Sequence, residues 1–234
     1  DYDYALSEIK KALSAALKAN NEYMYVLALN QKGLIEKDMG RSEDARKSYQ
    51  TIIDYQFERL NSSEYIGQAW HNIAVTFKME GLLGEAIVAY KNAEEYHAIG
   101  SGNSDRFTTW LDLSEVYFLR KEYNKAFEYS QKSLAIYEDV ALLPDHYKVY
   151  DLLSKILYAQ RKFEDSHAFS QEYMVENSHF LKAQTDILRV KDQYKMEVLT
   201  AGFFVELNAS KRQNELELYL ILCGAIGTLI IVIG

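Results

Sequence analysis

The stretch "AWHNIAVTFKMEGLLGEAIVAYKNAEEY", residues 69–96, decides the fold. Ala74 and Ala86 are small residues twelve positions apart, with "EGLL" (80–83) between them. Trp70 lies four before Ala74 and Phe77 three after it, so all three share one face of a helix. Ala86, Tyr90 and Ala93 do the same on a second helix. The pattern predicts two antiparallel helices joined by a turn at Gly81. Small side chains let the backbones approach where the helices cross, and large ones fill the space above and below.

The same spacing recurs on both sides. Ala5, Ala45, Ala86, Ala126 and Ser166 are separated by 40, 41, 40 and 40 residues. Twelve positions before the last four stand Gly33, Ala74, Ser114 and Ser154. Leu29, Trp70, Trp110 and Tyr150 precede these small residues by four; Glu36, Phe77, Tyr117 and Leu157 follow them by three, with Glu36 the exception to an apolar series. Short turns, "MGRS" (39–42), "EGLL", "RKEY" (120–123) and "QRKF" (160–163), separate the paired helices, and Gly40 and Gly81 mark two of them. Ser42 is the expected N-cap of the helix that carries Ala45. "NSS" (61–63), "GSGNS" (100–104) and "LLPD" (142–145) separate one hairpin from the next. Each hairpin leaves an apolar face that only its neighbour can bury, so the array is expected to be a solenoid.

Composition agrees with an all-α chain. Pro144 is the only proline in 234 residues, and strand-like alternation is absent. The net charge of −8 argues against nucleic acid, which needs a basic surface. Cys223 is the single cysteine, which excludes an internal disulfide and a cysteine-based metal site. The histidines His71, His97, His146, His167 and His179 lack metal-ligand spacing. "GSGNS" lacks the lysine and the preceding strand of a nucleotide loop. Asp112 and Glu115 read as a solvated helix face. No catalytic, cofactor-binding or metal-binding residue is assigned, and an enzyme is not expected.

The C-terminal end differs. "LYLILCGAIGTLIIVIG", residues 218–234, carries no charge. Its 17 residues rise about 25 Å as a helix, against a hydrocarbon core of about 30 Å. A run without a polar face cannot pack on one side only, so a membrane-spanning helix cut near its far end is preferred to a buried core helix. The chain also opens on Asp1 inside a helical pattern, and it is expected to be a fragment at both ends. The expected organisation is a solenoid over 1–178 (a partial first repeat plus about four hairpins), capping and connector helices over 179–217, and the span over 218–234. Ile187, Leu188, Tyr194, Val198, Leu199, Phe203 and Leu207 are the apolar residues of the middle segment.

The repeat resembles the tetratricopeptide repeat in its longer-helix form. Trp70, Ile73, Ala74, Phe77, Gly81, Ala86, Tyr90 and Ala93 match that signature in order, and Trp110, Leu113, Ser114, Tyr117, Tyr123, Ala126 and Ser133 match it in the next hairpin. The resemblance implies a right-handed α-solenoid of stacked antiparallel hairpins, here followed by a long connector helix and a transmembrane helix. It also implies that the first helix of each hairpin lines a concave surface for an extended protein or peptide ligand. Helical periodicity then selects Asn30, Leu34 and Lys37; His71, Asn72, Val75 and Lys78; Leu111, Glu115 and Phe118; and Asp151, Lys155 and Tyr158. Lys78 and Lys155, with His71 and Asn72, are placed to meet a carboxylate or acidic peptide, and Phe118 and Tyr158 to supply apolar pockets. The paired-lysine, paired-asparagine clamp of some members is not reproduced.

The order of solenoid, connector and span also resembles the membrane-proximal part of bacterial sensors with such repeats. That implies a non-catalytic binding module that passes a signal through the membrane to an output domain beyond this sequence. The solenoid would then be extracytoplasmic (periplasmic), and the connector helix is a candidate surface for a homodimer. The alternative is a membrane-anchored scaffold for assembling protein complexes. Lys211 and Arg212 beside the membrane would by themselves place the repeats in the cytoplasm, so the cytoplasmic side stays open.

Overall fold

The computed structural model describes residues 2–55, 62–100, 102–137 and 147–233, with their side chains except at 199, 201–210 and 214–233. Among the described residues every regular element is an α-helix. The order is α1 (Tyr2–Lys18), α2 (Glu22–Asp38), α3 (Ser42–Ile53), α4 (Ser62–Met79), α5 (Leu83–Gly100), α6 (Asn103–Leu119), α7 (Tyr123–Leu134), α8 (Lys148–Ala159) and α9 (Phe163–Ile233). The "LLPD" linker and His146 lie outside the described residues. The chain divides into two units, Asp1–Glu176 and Asn177–Gly234.

In the first unit each helix packs on the next along the chain from α1 to α8, α7 and α8 included. The first helices of successive hairpins touch as well: α2 with α4, α4 with α6, α6 with α8. Among the described residues the backbones of the second helices α3, α5 and α7 do not approach one another, and α5 meets α7 through side chains, with Lys91 Nζ 4.5 Å from the centre of the Tyr129 ring. The stack therefore closes on the side of α2, α4, α6 and α8. This is a helical repeat of the solenoid type.

The crossings follow the small residues. Ala74 and Ala86 are fully buried in the same core cluster, beside Tyr90 and Leu113. At Gly33 a Cβ would lie 2.5 Å from the ring of Tyr49, so only glycine admits that ring. In the last two hairpins the small residue is a serine, and its hydroxyl is used. Ser114 Oγ donates to the Ala126 carbonyl at 2.6 Å. Ser154 Oγ donates to the Ser166 carbonyl at 2.9 Å, and Ser166 Oγ returns a bond to the Ser154 carbonyl at 2.8 Å. Glu36, the polar exception in the apolar series, is also explained. It is buried, accepts from Ser48 Oγ at 2.6 Å and pairs with Lys32 at 2.9 Å. Ionic contacts fill the place of a ring there.

All four hairpin turns close alike. Gly40, Gly81, Lys121 and Arg161 have φ of 74°, 75°, 62° and 63°. In each, that residue's N–H bonds the carbonyl three back, and the following N–H bonds the carbonyl five back, as in Gly40 to Lys37 and Arg41 to Glu36. This is the Schellman closure of a helix end. Asn20 (φ 49°) makes the same turn between α1 and α2. Ser42 corrects the sequence expectation. It is the first residue of α3 and buried; Arg41 holds the cap position, with no side-chain bond. The Schellman turn runs directly into α3, which puts Ser42 one position past the cap. Asn21 does cap, its side chain accepting from the Met24 N–H at 3.0 Å.

The second helix of the fourth hairpin and the separate capping, connector and terminal helices expected from the sequence are one helix, α9, of 71 residues. In the second unit Leu181, Ile187, Leu188, Tyr194 and Val198 are exposed. Among the described residues no helix is long and apolar enough to cross a membrane. The side chains of the expected span, 218–234, lie outside the described residues, as does that of Cys223.

Two stability predictions follow from the crossings and turns. Ala86→Leu should cost about 1–3 kcal/mol by overpacking, read from the urea midpoint of unfolding. Gly81→Ala and Lys121→Gly should move that midpoint in opposite directions, down and up, by up to about 1–2 kcal/mol, the cost of a left-handed backbone with a Cβ.

Candidate functional site

The inner face presents side chains from four successive first helices, and two cavities open between them. The first, about 220 Å³, lies where α2, α4 and α6 converge. Asn30 and Leu34 line it from α2, Gln68, His71 and Asn72 from α4, Asp105 and Thr108 from α6, and His97 from the end of α5. Asn72 Nδ2 donates to Asn30 Oδ1 at 2.9 Å, tying the first two hairpins together across the groove.

Behind this wall runs a chain of polar contacts. Thr109 Oγ1 lies 3.1 Å from Nδ1 of both His71 and His97. His71 Nε2 is 3.4 Å from Asp112 Oδ2. Lys78 Nζ donates to Asp112 Oδ1 at 2.7 Å and to Glu115 Oε2 at 2.8 Å. Burial lowers the pKa of His71, with the Asp112 charge opposing it, and burial lowers that of His97, with Asp105 opposing. Both rings are thereby favoured in the neutral form. At Lys78 burial also works against the charge, but Asp112 and Glu115 outweigh it and raise the pKa. His97 fits only because residue 67 is glycine: a Cβ there would lie 2.2 Å from His97 Cδ2. The Nε2 atom of His97 is buried and has no hydrogen-bond partner.

The second cavity, about 290 Å³, lies between α6 and α8. Leu111, Asp112 and Glu115 face Lys148, Asp151, Leu152 and Lys155 across it. Lys155 Nζ donates to Asp151 Oδ2 at 2.6 Å.

The sequence-selected residues divide accordingly. Asn30, Leu34, His71 and Asn72 meet in the first cavity; Leu111, Glu115, Asp151 and Lys155 meet in the second. Lys78 joins the two through its carboxylates. Val75 packs against the core, and Lys37 lies 3.8 Å from Asp38. Phe118 packs on Tyr123 and Tyr158 on Phe163, at centroid distances of 5.7 and 5.4 Å, and neither lines either cavity. Lys78 and Lys155, taken as cations awaiting an acidic ligand, already face carboxylates of their own. Asp112 is no solvated face: it is half-buried between Lys78 and His71. Gln68, Asp105 and Thr108 were missed but continue the inward helical stripe by one or two turns. His97 sits on a second helix, and only its pairing with Gly67 would have revealed it. Among the described residues no group of three metal-ligating side chains is arranged to hold an ion.

No protein-family model and no curated protein matches the sequence. Solved structures do resemble it. The crystal structure of MamA is 19% identical with a TM-score of 0.58, over 78% of this chain and 92% of that one. BtubC from P. vanneervenii is 16% identical with a TM-score of 0.66, over 76% and 74%. The nearly identical TPR-like repeats of a kinesin light chain from Podosopora anserina are 13% identical with a TM-score of 0.59, over 77% and 89%. The chain has the tetratricopeptide-repeat fold. The groove described above is the inner face of that tetratricopeptide-like array.

Thr109→Val removes the hydroxyl that both rings share at nearly constant shape. It should cost about 1–3 kcal/mol, seen in urea unfolding, because two buried nitrogens lose their partner. Stability should also depend on acid. Folding depresses both histidine pKa values below the ordinary value of about 6.5, so the unfolded chain binds more protons below that pH. The stabilisation is complete above about pH 6.5 and is lost as pH falls through it toward the folded values. The urea midpoint should drop between about pH 7.5 and about pH 5.5, and drop less in His97→Gln.

Proposed function

We propose that the chain is a non-catalytic protein-interaction module whose inner groove binds an extended peptide segment of a partner. The observation that carries this is the convergence of polar side chains from α2, α4, α6 and α8 on one face, with two cavities of about 220 and 290 Å³ between them. Pockets for drug-sized ligands are about 300–1,000 Å³, so each cavity is scaled to a side chain rather than a cofactor. Spaced pockets along a groove suit an extended chain that inserts successive side chains.

The sequence supports a finer reading. The apolar run 218–234 is a membrane-spanning segment, residues 179–217 connect it to the solenoid of 1–178, and the module is the extracytoplasmic sensor of a single-pass membrane protein. Exposed Leu181, Ile187, Leu188, Tyr194 and Val198 on α9 are apolar surface through which the connector would pair with a second copy.

Peptide binding is tested with a fluorescein-labelled pool of random nonapeptides and the full chain in detergent. Asn72→Arg, in the groove, should weaken anisotropy binding about tenfold or more, whereas Val88→Arg, exposed on α5, should leave it unchanged. Equal loss at both sites, or no binding to begin with, rejects the groove as the site. Topology is tested by inserting a reporter active only outside the cytoplasm at the exposed Gly102. It should be active; silence there together with activity of a cytoplasmic reporter rejects the sensor arrangement.

A further inference from the structure

From 181 to 198 every residue of α9 is exposed. In proteins most helical stability comes from packing an apolar face, and this stretch carries such a face without a cover. Ala183, Ile187, Val190, Tyr194 and Val198 follow one another at steps of four, three, four and four residues. At 3.6 residues per turn these steps keep them in one stripe along the helix. Ile187, Val190, Tyr194 and Val198 are each more than half exposed.

The charges beside this stripe are sorted. At about 100° per residue, Asp186 and Glu197 lie about 60–80° to one side of its midline, and Lys191 and Lys195 about 60–100° to the other. Neither Asp186 nor Lys191 makes an ion pair with another described residue. Charges that flank an apolar seam set which helix it pairs with and in which direction. In a parallel pair, related by a two-fold axis along the helices, the acidic flank of one meets the basic flank of the other. In an antiparallel pair the axis crosses the helices, and each flank meets its own kind, acid on acid and lysine on lysine, which repel.

We infer that the stretch 181–198 pairs with the same stretch of a second copy, parallel and in register, with Asp186 of each copy facing Lys191 of the other. The inference rests on the pairing of connectors proposed above and adds its direction and register. Ile187 then meets Ile187, and Tyr194 meets Tyr194, across the axis. Asp186 and Lys191 are five residues apart, a rise of about 7.5 Å that the long lysine stem spans. Lys195 and Glu197 add a second pair of opposite charges across the same flanks. A foreign helix could cover the stripe without its two flanks matching each other; a surface complementary to itself is the mark of a two-fold contact. Two copies held in one membrane by 218–234 would also run the same way.

The test uses the full chain in detergent, with Cys223→Ser so that an introduced thiol is the only one. Ile187→Cys and Tyr194→Cys should each give a disulfide-linked dimer on mild oxidation, and Arg189→Cys, on the opposite face, should not. An antiparallel pair sets only one level of the helix against itself, so it links at one of the two positions at most. In sedimentation equilibrium Asp186→Lys and Lys191→Asp should each raise the dimer dissociation constant about tenfold, and the double variant should restore it. All these positions are exposed, so folding of the solenoid is not at stake. A dimer that links at only one of positions 187 and 194, or whose double variant stays as weak as either single one, overturns the parallel register while the pairing of connectors stands. A monomer, or a dimer that links at neither position, overturns both.

Discussion

The close approach of paired helices at small side chains is the constraint on which everything else in this chain depends. At Gly33, Ala74, Ser114 and Ser154 the backbones come near enough that a larger group would strike its partner, as the ring of Tyr49 against Gly33 demonstrates. Once the spacing within a hairpin is set, the large residues four before and three after have fixed volumes to fill. Trp70, Phe77, Trp110 and Tyr117 fill them, and the next hairpin can dock only in one register. The groove inherits its geometry from that register. Asn30 can reach Asn72, and Lys78 can reach Asp112, because successive first helices are held at one spacing.

The groove is built by polar contacts between hairpins where the core is built by apolar ones. Asn30 to Asn72, His71 to Thr109, and Lys78 to Asp112 each join one repeat to the next. These bonds sit at the half-buried margin, where a hydrogen bond is stronger than in water but an unpaired group is not yet prohibitive. In such an array each of these contacts is shared by two repeats, so losing one side chain weakens the junction between both.

The fold was legible in the sequence because its causes are local and periodic. Small residues twelve apart, repeated every forty, leave one solution for Ala74 and Ala86, and the chain adopts it. Turn chemistry was half legible. Gly40 and Gly81 announce a left-handed residue, but Lys121 and Arg161 take the same conformation against their preference, and only the register of the repeat could have foretold it. Periodicity places Asn30, His71 and Leu111 on first helices, and there they line the cavities. Charge is less legible. Lys78 looks like a free cation on its own helix; its partners are more than thirty residues away, and one-dimensional spacing does not show that Asp112 and Glu115 arrive beneath it. His97 was invisible for the same reason, because its place is set by an absent side chain at Gly67 on another helix.

The four identical turn closures carry a consequence for how such a chain varies. Gly40, Gly81, Lys121 and Arg161 fall at intervals of 41, 40 and 40 residues and end their helices with the same pair of backbone bonds. A segment cut from one of these positions to the next begins and ends in matching backbone conformation. Duplication or deletion of that segment would lengthen or shorten the array by one whole module and leave the backbone closure of each turn as it is. The length of the array is thus a quantity that genetic copying can adjust in integer steps.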